Sequence, residues 1–95
     1  MIINFADKDT ESVWQRRRGA KRIDPRVVDT AYRKLVALDS VTTLAALAAV
    51  RGNNLKALKG DLKGKYSIRI NDQWRIVFTW SDRGYASGVS ITDYH

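Results

Sequence analysis

Hydrophobic and polar positions alternate along the chain from residue 66 onward, whereas before residue 50 they recur every three to four residues. The first spacing is that of strands and the second that of helices. Val28, Ala31, Leu35 and Leu38 share one face of a predicted helix, flanked by Tyr32. Asp24 is its expected N-cap, and Pro25, the only proline, falls at the first helical position, where an N–H would lack a partner anyway. An earlier helix is predicted over 7–18, with Val13 and Trp14 as apolar anchors. Asp7 or Asp9 would cap it, Asp9 and Glu11 suit its positive end, and Gly19 is its expected stop. A third helix, rich in Ala and Leu, is predicted over 43–49 and broken by Gly52-Asn53-Asn54. Ile2, Ile3 and Phe5 predict a short first strand.

The second half predicts a short strand over 55–58, turns at Lys59-Gly60-Asp61 and Lys63-Gly64, and strands over 66–70, 74–80 and 85–94. Helices first and hairpins later define an α+β domain spanning 1–95, with N-terminal helices packed on one face of a mainly antiparallel β-sheet. Cross-strand partners must point to the same face, so register can be derived. A three-residue loop, Asn71-Asp72-Gln73, pairs Ile70 with Trp74, Ile68 with Ile76 and Tyr66 with Phe78. A loop of Ser81-Asp82-Arg83-Gly84 would pair Trp80 with Tyr85, Phe78 with Ser87, Ile76 with Val89 and Trp74 with Ile91. Trp74, Phe78 and Trp80 then belong to the core, while Trp14 is open to either a core role or a partner-binding helix. The other sheet face carries Ser67, Arg69, Arg75, Ser90, Thr92 and Tyr94, with Ser90 opposite Arg75. Arg69 faces Arg75, a like-charge pair that costs a few tenths of a kcal/mol or more unless water or an anion offsets it.

Charge narrows the function. The net charge is +7 and the pI about 10.1, which favours a polyanionic partner such as nucleic acid. Arg16-Arg17-Arg18, Lys21-Arg22 and Arg26 form a basic cluster on the helical side, either an RNA-docking surface or a solvated helix end. The absence of cysteine excludes disulfides and thiolate metal sites, and a lone histidine argues against a metal centre, so no cofactor is expected. The first residues form no basic leader and the longest apolar run, 44–50, is far below bilayer-spanning length, so a cytoplasmic protein with no membrane association is expected. The last residues, Asp93-Tyr94-His95, set a carboxylate, a phenol and the only imidazole side by side at the end of a predicted strand.

Several segments together carry a family resemblance: Leu58-Lys59-Gly60-Asp61, the run Tyr66-Ser67-Ile68-Arg69-Ile70-Asn71-Asp72-Gln73-Trp74-Arg75-Ile76-Val77-Phe78, and the ending Asp93-Tyr94-His95. With Met1-Ile2-Ile3-Asn4-Phe5 and Lys34-Leu35…Leu38-Asp39, the chain resembles the HigB toxins of the RelE superfamily, also called plasmid maintenance system killer proteins. The resemblance implies a RelE-like microbial RNase fold and a ribosome-dependent endoribonuclease that cuts mRNA in the ribosomal A site and stops translation. It implies a HigA-type helix-turn-helix antitoxin as partner, and operator DNA reached only through the antitoxin complex. By position it points to Arg75, Asp93, Tyr94 and His95 as catalytic, and to Lys59 as an RNA- or phosphate-binding residue, with Arg69 added by its place on the sheet. The chain departs from the pattern at Lys56, where several HigB proteins have a catalytic histidine. A lysine can bind phosphate but is a poor proton shuttle near neutral pH.

RNA is cut when a 2′-OH attacks the adjacent phosphate, which requires proton removal, charge stabilisation and protonation of the leaving oxygen. On this reading Arg75 takes the phosphate, with Arg69 and Lys59 in support. His95, with an ordinary pKa of about 6.5, is the proton shuttle. Tyr94 orients the nucleotide or shares proton transfer, and Asp93 or the terminal carboxylate orients His95. The alternative is a weakly active or inactive homologue that acts mainly as an RNA- or antitoxin-binding co-repressor, which the Lys56 departure favours.

Overall fold

The computed structural model describes residues 1–18 and 21–94. Among the described residues three α-helices, α1 (Lys8–Arg16), α2 (Val28–Ser40) and α3 (Leu44–Ala49), precede four strands, β1 (Lys56–Ala57), β2 (Lys65–Arg69), β3 (Trp74–Ser81) and β4 (Tyr85–Asp93). The strands form one antiparallel sheet in the order β1-β2-β3-β4. This is the α+β arrangement that the change of period predicts. Val28, Ala31, Leu35 and Leu38 are all buried against Ile68, Ile76, Phe78, Val89 and Ile91, so the helices cover one face of the sheet.

Local chemistry sets the helix ends. Asp7 caps α1, its side chain accepting from the Thr10 N–H at 2.7 Å. Helix α1 stops at Arg17, which takes a left-handed φ of 53° and lays its guanidinium 4.2 Å from the centre of the Tyr32 ring. The expected stop, Gly19, lies outside the described residues. Asp24 and Pro25 open a 3₁₀ turn, Pro25–Val27, that runs into α2. Thr43 caps α3 through the Ala46 N–H.

Two expectations are corrected. Residues 2–5 do not form a full strand. Ile2 and Phe5 make isolated parallel bridges to Ala86 and Val89, which cover the outer edge of β4. Further along that edge, side chains replace a strand: the Thr10 hydroxyl accepts from the Ile91 N–H at 2.9 Å, and Arg22 donates to the Ile91 carbonyl.

The second correction concerns β4. The β2–β3 register is as derived, with Tyr66 opposite Phe78, Ile68 opposite Ile76 and Arg69 opposite Arg75. In the last hairpin, however, Ser81 pairs with Tyr85, Trp80 with Ala86 and Thr79 with Ser87, and beyond a bulge Val77 pairs with Ser90, Ile76 with Ile91 and Arg75 with Thr92. Gly88 and Val89 together face Phe78, so the buried face of β4 changes from Ala86 to Val89 and Ile91. The β4 residue opposite Arg75 is Thr92, not Ser90.

Gly88 makes this possible, since its φ of +57° is one that side-chain-bearing residues avoid. Apart from its chain neighbours, no atom of the described residues lies within 4 Å of where a Cβ would stand, so a substitution there mainly tests backbone conformation. Gly88→Val is expected to cost about 1–2 kcal/mol and Gly88→Asn clearly less, read from urea denaturation midpoints.

Candidate active site

The sheet face away from the helices holds an open depression of about 410 Å³ lined by Asn54, Lys56, Arg69, Asn71, Asp72, Arg75 and Tyr94. Each side chain arrives by strand alternation or by a turn. Arg69 ends β2, Arg75 is the second residue of β3, and Tyr94 follows β4, where its N–H donates to the Gln73 carbonyl. Lys56 comes from the two-residue edge strand β1, opposite Ser67.

Arg75 is the most restrained of these. Its Nε donates to the Ser67 hydroxyl at 2.8 Å and its Nη2 to the Asn54 carbonyl at 2.6 Å. Ser67, although on the open face, is itself fully buried. The Nη1 hydrogens make no hydrogen bond among the described residues and remain for a ligand. Burial lowers the Arg75 pKa, nearby Tyr94 opposes that shift and Arg69 adds to it. The guanidinium still stays charged at neutral pH.

These contacts explain how Arg69 and Arg75 tolerate facing each other. Arg75 is turned onto neutral oxygens, while Arg69 pairs with the fully exposed Asp72. An exposed pair of this kind contributes at most about 1 kcal/mol, so an incoming phosphate can displace Asp72. Three cations therefore line the depression against one loosely held carboxylate, a setting suited to bidentate phosphate binding.

The sequence-derived set divides here. Arg75, Arg69, Lys56 and Tyr94 converge on the depression. Lys59 is exposed at the start of a 3₁₀ turn, Gly60–Leu62, and does not line it. Asp93 pairs with Trp74, on the opposite alternation from Thr92 and Tyr94, and accepts from Gln73 Nε2 at 3.1 Å. His95 lies outside the described residues. Sequence reasoning missed Asn54, whose φ of 43° presents its carbonyl to Arg75. Asparagine enters the left-handed region more readily than most residues, but in the sequence Gly52-Asn53-Asn54 reads only as a helix break.

Half of the basic cluster on the helical side is engaged within the chain. Arg22 bridges Asp7 and the Ile91 carbonyl, Arg26 pairs with Asp24, and Arg17 stacks on Tyr32. All six residues are exposed, these three together with Arg16, Arg18 and Lys21. Trp14 sits between Phe5 and Tyr32, with ring centres 6.4 and 6.0 Å away, and so belongs to an aromatic cluster beside the core. Among the described residues no helix is long and apolar enough to cross a membrane.

Solved structures with the same architecture are bacterial toxins. The heterotetrameric YoeB–YefM toxin–antitoxin complex from Staphylococcus aureus matches with a TM-score of 0.60 and 25% identity, covering 100% of this chain and 95% of that one. The YoeB dimer from the same organism gives 0.58 and 25%, covering 99% of this chain and 94% of that one. The fold is thus that of the RelE-like toxins. The sequence pattern of the RelE-like toxin HigB of type II toxin–antitoxin systems matches residues 3–95. Toxin HigB-1 of Vibrio cholerae serotype O1 is 33% identical over 94 residues, covering 99% of this chain and 94% of the relative. The chain belongs to the HigB family of RelE-like toxins of type II toxin–antitoxin systems.

Proposed function

We propose that this toxin is a ribosome-dependent mRNA endoribonuclease of the cytoplasm, neutralised by a HigA-type helix-turn-helix antitoxin. The carrying observation is the convergence of Arg75, Arg69, Lys56 and Tyr94 on one open depression, with Arg75 pre-aimed by Ser67 and Asn54. In the proposed reaction the free Nη1 hydrogens of Arg75 take the scissile phosphate, and Arg69 and Lys56 add positive charge as the phosphorane forms. Lys59 supports the RNA backbone from the adjacent turn. Tyr94 orients the nucleotide, and His95, the next residue, is the proton carrier on its chemistry. Asp93 orients that imidazole. Binding energy comes from fixed donors, so no metal or cofactor is required by this route.

Induction of the chain should arrest growth, and mapping of mRNA 5′ ends should show new cuts within translated codons. Co-expression of a helix-turn-helix antitoxin should abolish both. Cleavage of wild-type extent by Arg75→Ala, Tyr94→Ala and a chain lacking His95 would sink the residue assignment.

One observation favours a second reading. Lys56 lines the depression where several HigB proteins have a histidine, which removes an imidazole from the site. In that case the protein binds ribosomes and antitoxin without cutting, and ribosome association without new mRNA ends is the result that selects it.

A further inference from the structure

Behind the depression lies a polar connection that no cavity residue makes by itself. Asn53 is fully buried, and its groups reach four partners in α2, β2 and the end of α3. Its Nδ2 donates to the Leu47 carbonyl in α3 at 2.9 Å, and its Oδ1 accepts from Lys34 Nζ on α2 at 2.6 Å. Its backbone N–H donates to the Val50 carbonyl at 3.2 Å, and its carbonyl accepts from the Arg69 N–H at 2.7 Å. The next residue is Asn54, whose carbonyl holds Arg75.

Lys34 and the Leu47 carbonyl together fix which way the Asn53 amide points. An ammonium can only donate, so it selects Oδ1 and leaves Nδ2 to serve Leu47. The lysine has no ion pair among the described residues. Burial first, then Arg69 and Arg33, pull its pKa below the ordinary lysine value, so its charge is held there without a compensating carboxylate. Without the Lys34 donor, Oδ1 would be left buried and unbonded, and the turn carrying Asn54 would lose its attachment to α2.

We propose that Lys34 is a positioning residue of the site: through Asn53 it fixes the Asn54 carbonyl that aims the Arg75 guanidinium. For catalysis this rests on the reading of Arg75 as the phosphate-binding group.

The test is the ¹⁵N NMR signal of the Arg75 Nη2 hydrogens, which bond the Asn54 carbonyl, identified by its loss in Arg75→Lys and read in the free toxin. In the wild type it should stand apart from the bulk arginine signals and exchange slowly with water. Lys34→Met should move it toward the bulk position and speed its exchange at least tenfold. Cleavage at saturating ribosome complex should fall about tenfold, with the salt dependence of RNA binding unchanged. Lys34→Arg, which can still donate to Oδ1, should restore both. Should Lys34→Met fail to fold, Lys34→Ala, a favourable helix residue, reads the same signal with the same outcomes. An unmoved Arg75 signal overturns the proposal. So does a shallower salt dependence with the signal unmoved, which would make Lys34 a direct phosphate contact. If the wild type cuts no mRNA, the nuclease reading fails while the Arg75 signal still decides the role of Lys34.

Discussion

Arg75→Ala is expected to lower mRNA cleavage on translating ribosomes by about 10³-fold, the scale seen when a fixed donor to a developing anion is removed. The reason lies in pre-organisation. Two of the guanidinium's nitrogens are already committed to Ser67 and Asn54, so Nη1 meets a phosphate without further ordering. The variant should still fold. It leaves the buried Ser67 hydroxyl without its Arg75 donor, a cost of about 1 kcal/mol. Arg75→Lys separates charge from geometry. An ammonium keeps the positive charge but cannot bond Ser67 and Asn54 at the guanidinium's spacing and still hold donors where Nη1 stands. Its activity should fall between wild type and Arg75→Ala, closer to the latter. Equal cleavage by Arg75→Lys and wild type would mean that charge alone suffices. Single-turnover rates on stalled ribosome complexes are the measurement.

The largest stability effect is expected at Asp7. This carboxylate caps α1 through Thr10, accepts from the Ser90 hydroxyl at 2.9 Å and pairs with Arg22 at 2.9 Å. It thereby joins the N-terminal helix to the strand that ends at the site. Asp7→Ala should cost about 2–3 kcal/mol at neutral pH, about 1 from the lost cap and the rest from Ser90 and Arg22. The ion pair is substantially exposed and contributes little of this. A loss of that size lowers the melting temperature by roughly 10–20 °C in a domain of this length.

The effect depends on pH with a definite sign. Burial alone would raise the Asp7 pKa. The hydrogen bonds from Thr10, Ser90 and Arg22 together outweigh it, so the folded value lies below the ordinary 3.8. The unfolded chain then binds the proton more readily than the folded one. The charge-dependent stabilisation is complete above the ordinary value and disappears as pH falls through the folded one. The difference in melting temperature between wild type and Asp7→Asn should therefore narrow as pH falls from 5 to below 3. A constant difference would place the Asp7 contribution in packing.

Much of the site was legible because strand alternation is a short-range rule. Ile68, Ile76 and Phe78 require the helix side, which forces Arg69 and Arg75 to the other face once the Asn71-Asp72-Gln73 loop sets their register. Tyr94 reached the same face for a weaker reason. The sequence reading extended one alternation through the whole of β4, and the bulge at Gly88 changes it only in the first part of the strand. Residues 89–94 keep the expected parity while their partners shift. Lys59 and Asp93 illustrate the limit from the other side. Both stand close in sequence to cavity residues, yet one sits on a separate turn and the other on the opposite alternation.

The sequence by itself determined the helices, their buried faces, the β2–β3 pairing and the two-sided character of the sheet. Each of these depends on residue spacing within one element or one hairpin, where geometry is nearly fixed. Only the tertiary structure decided the β4 bulge, the recruitment of Arg22 to the sheet edge and the aiming of Arg75 by Asn54. These join residues 15 to 81 positions apart through single hydrogen bonds and one left-handed turn. Such bonds leave no periodic trace in the chain, because a buried polar group can be satisfied by any element that folding brings within reach.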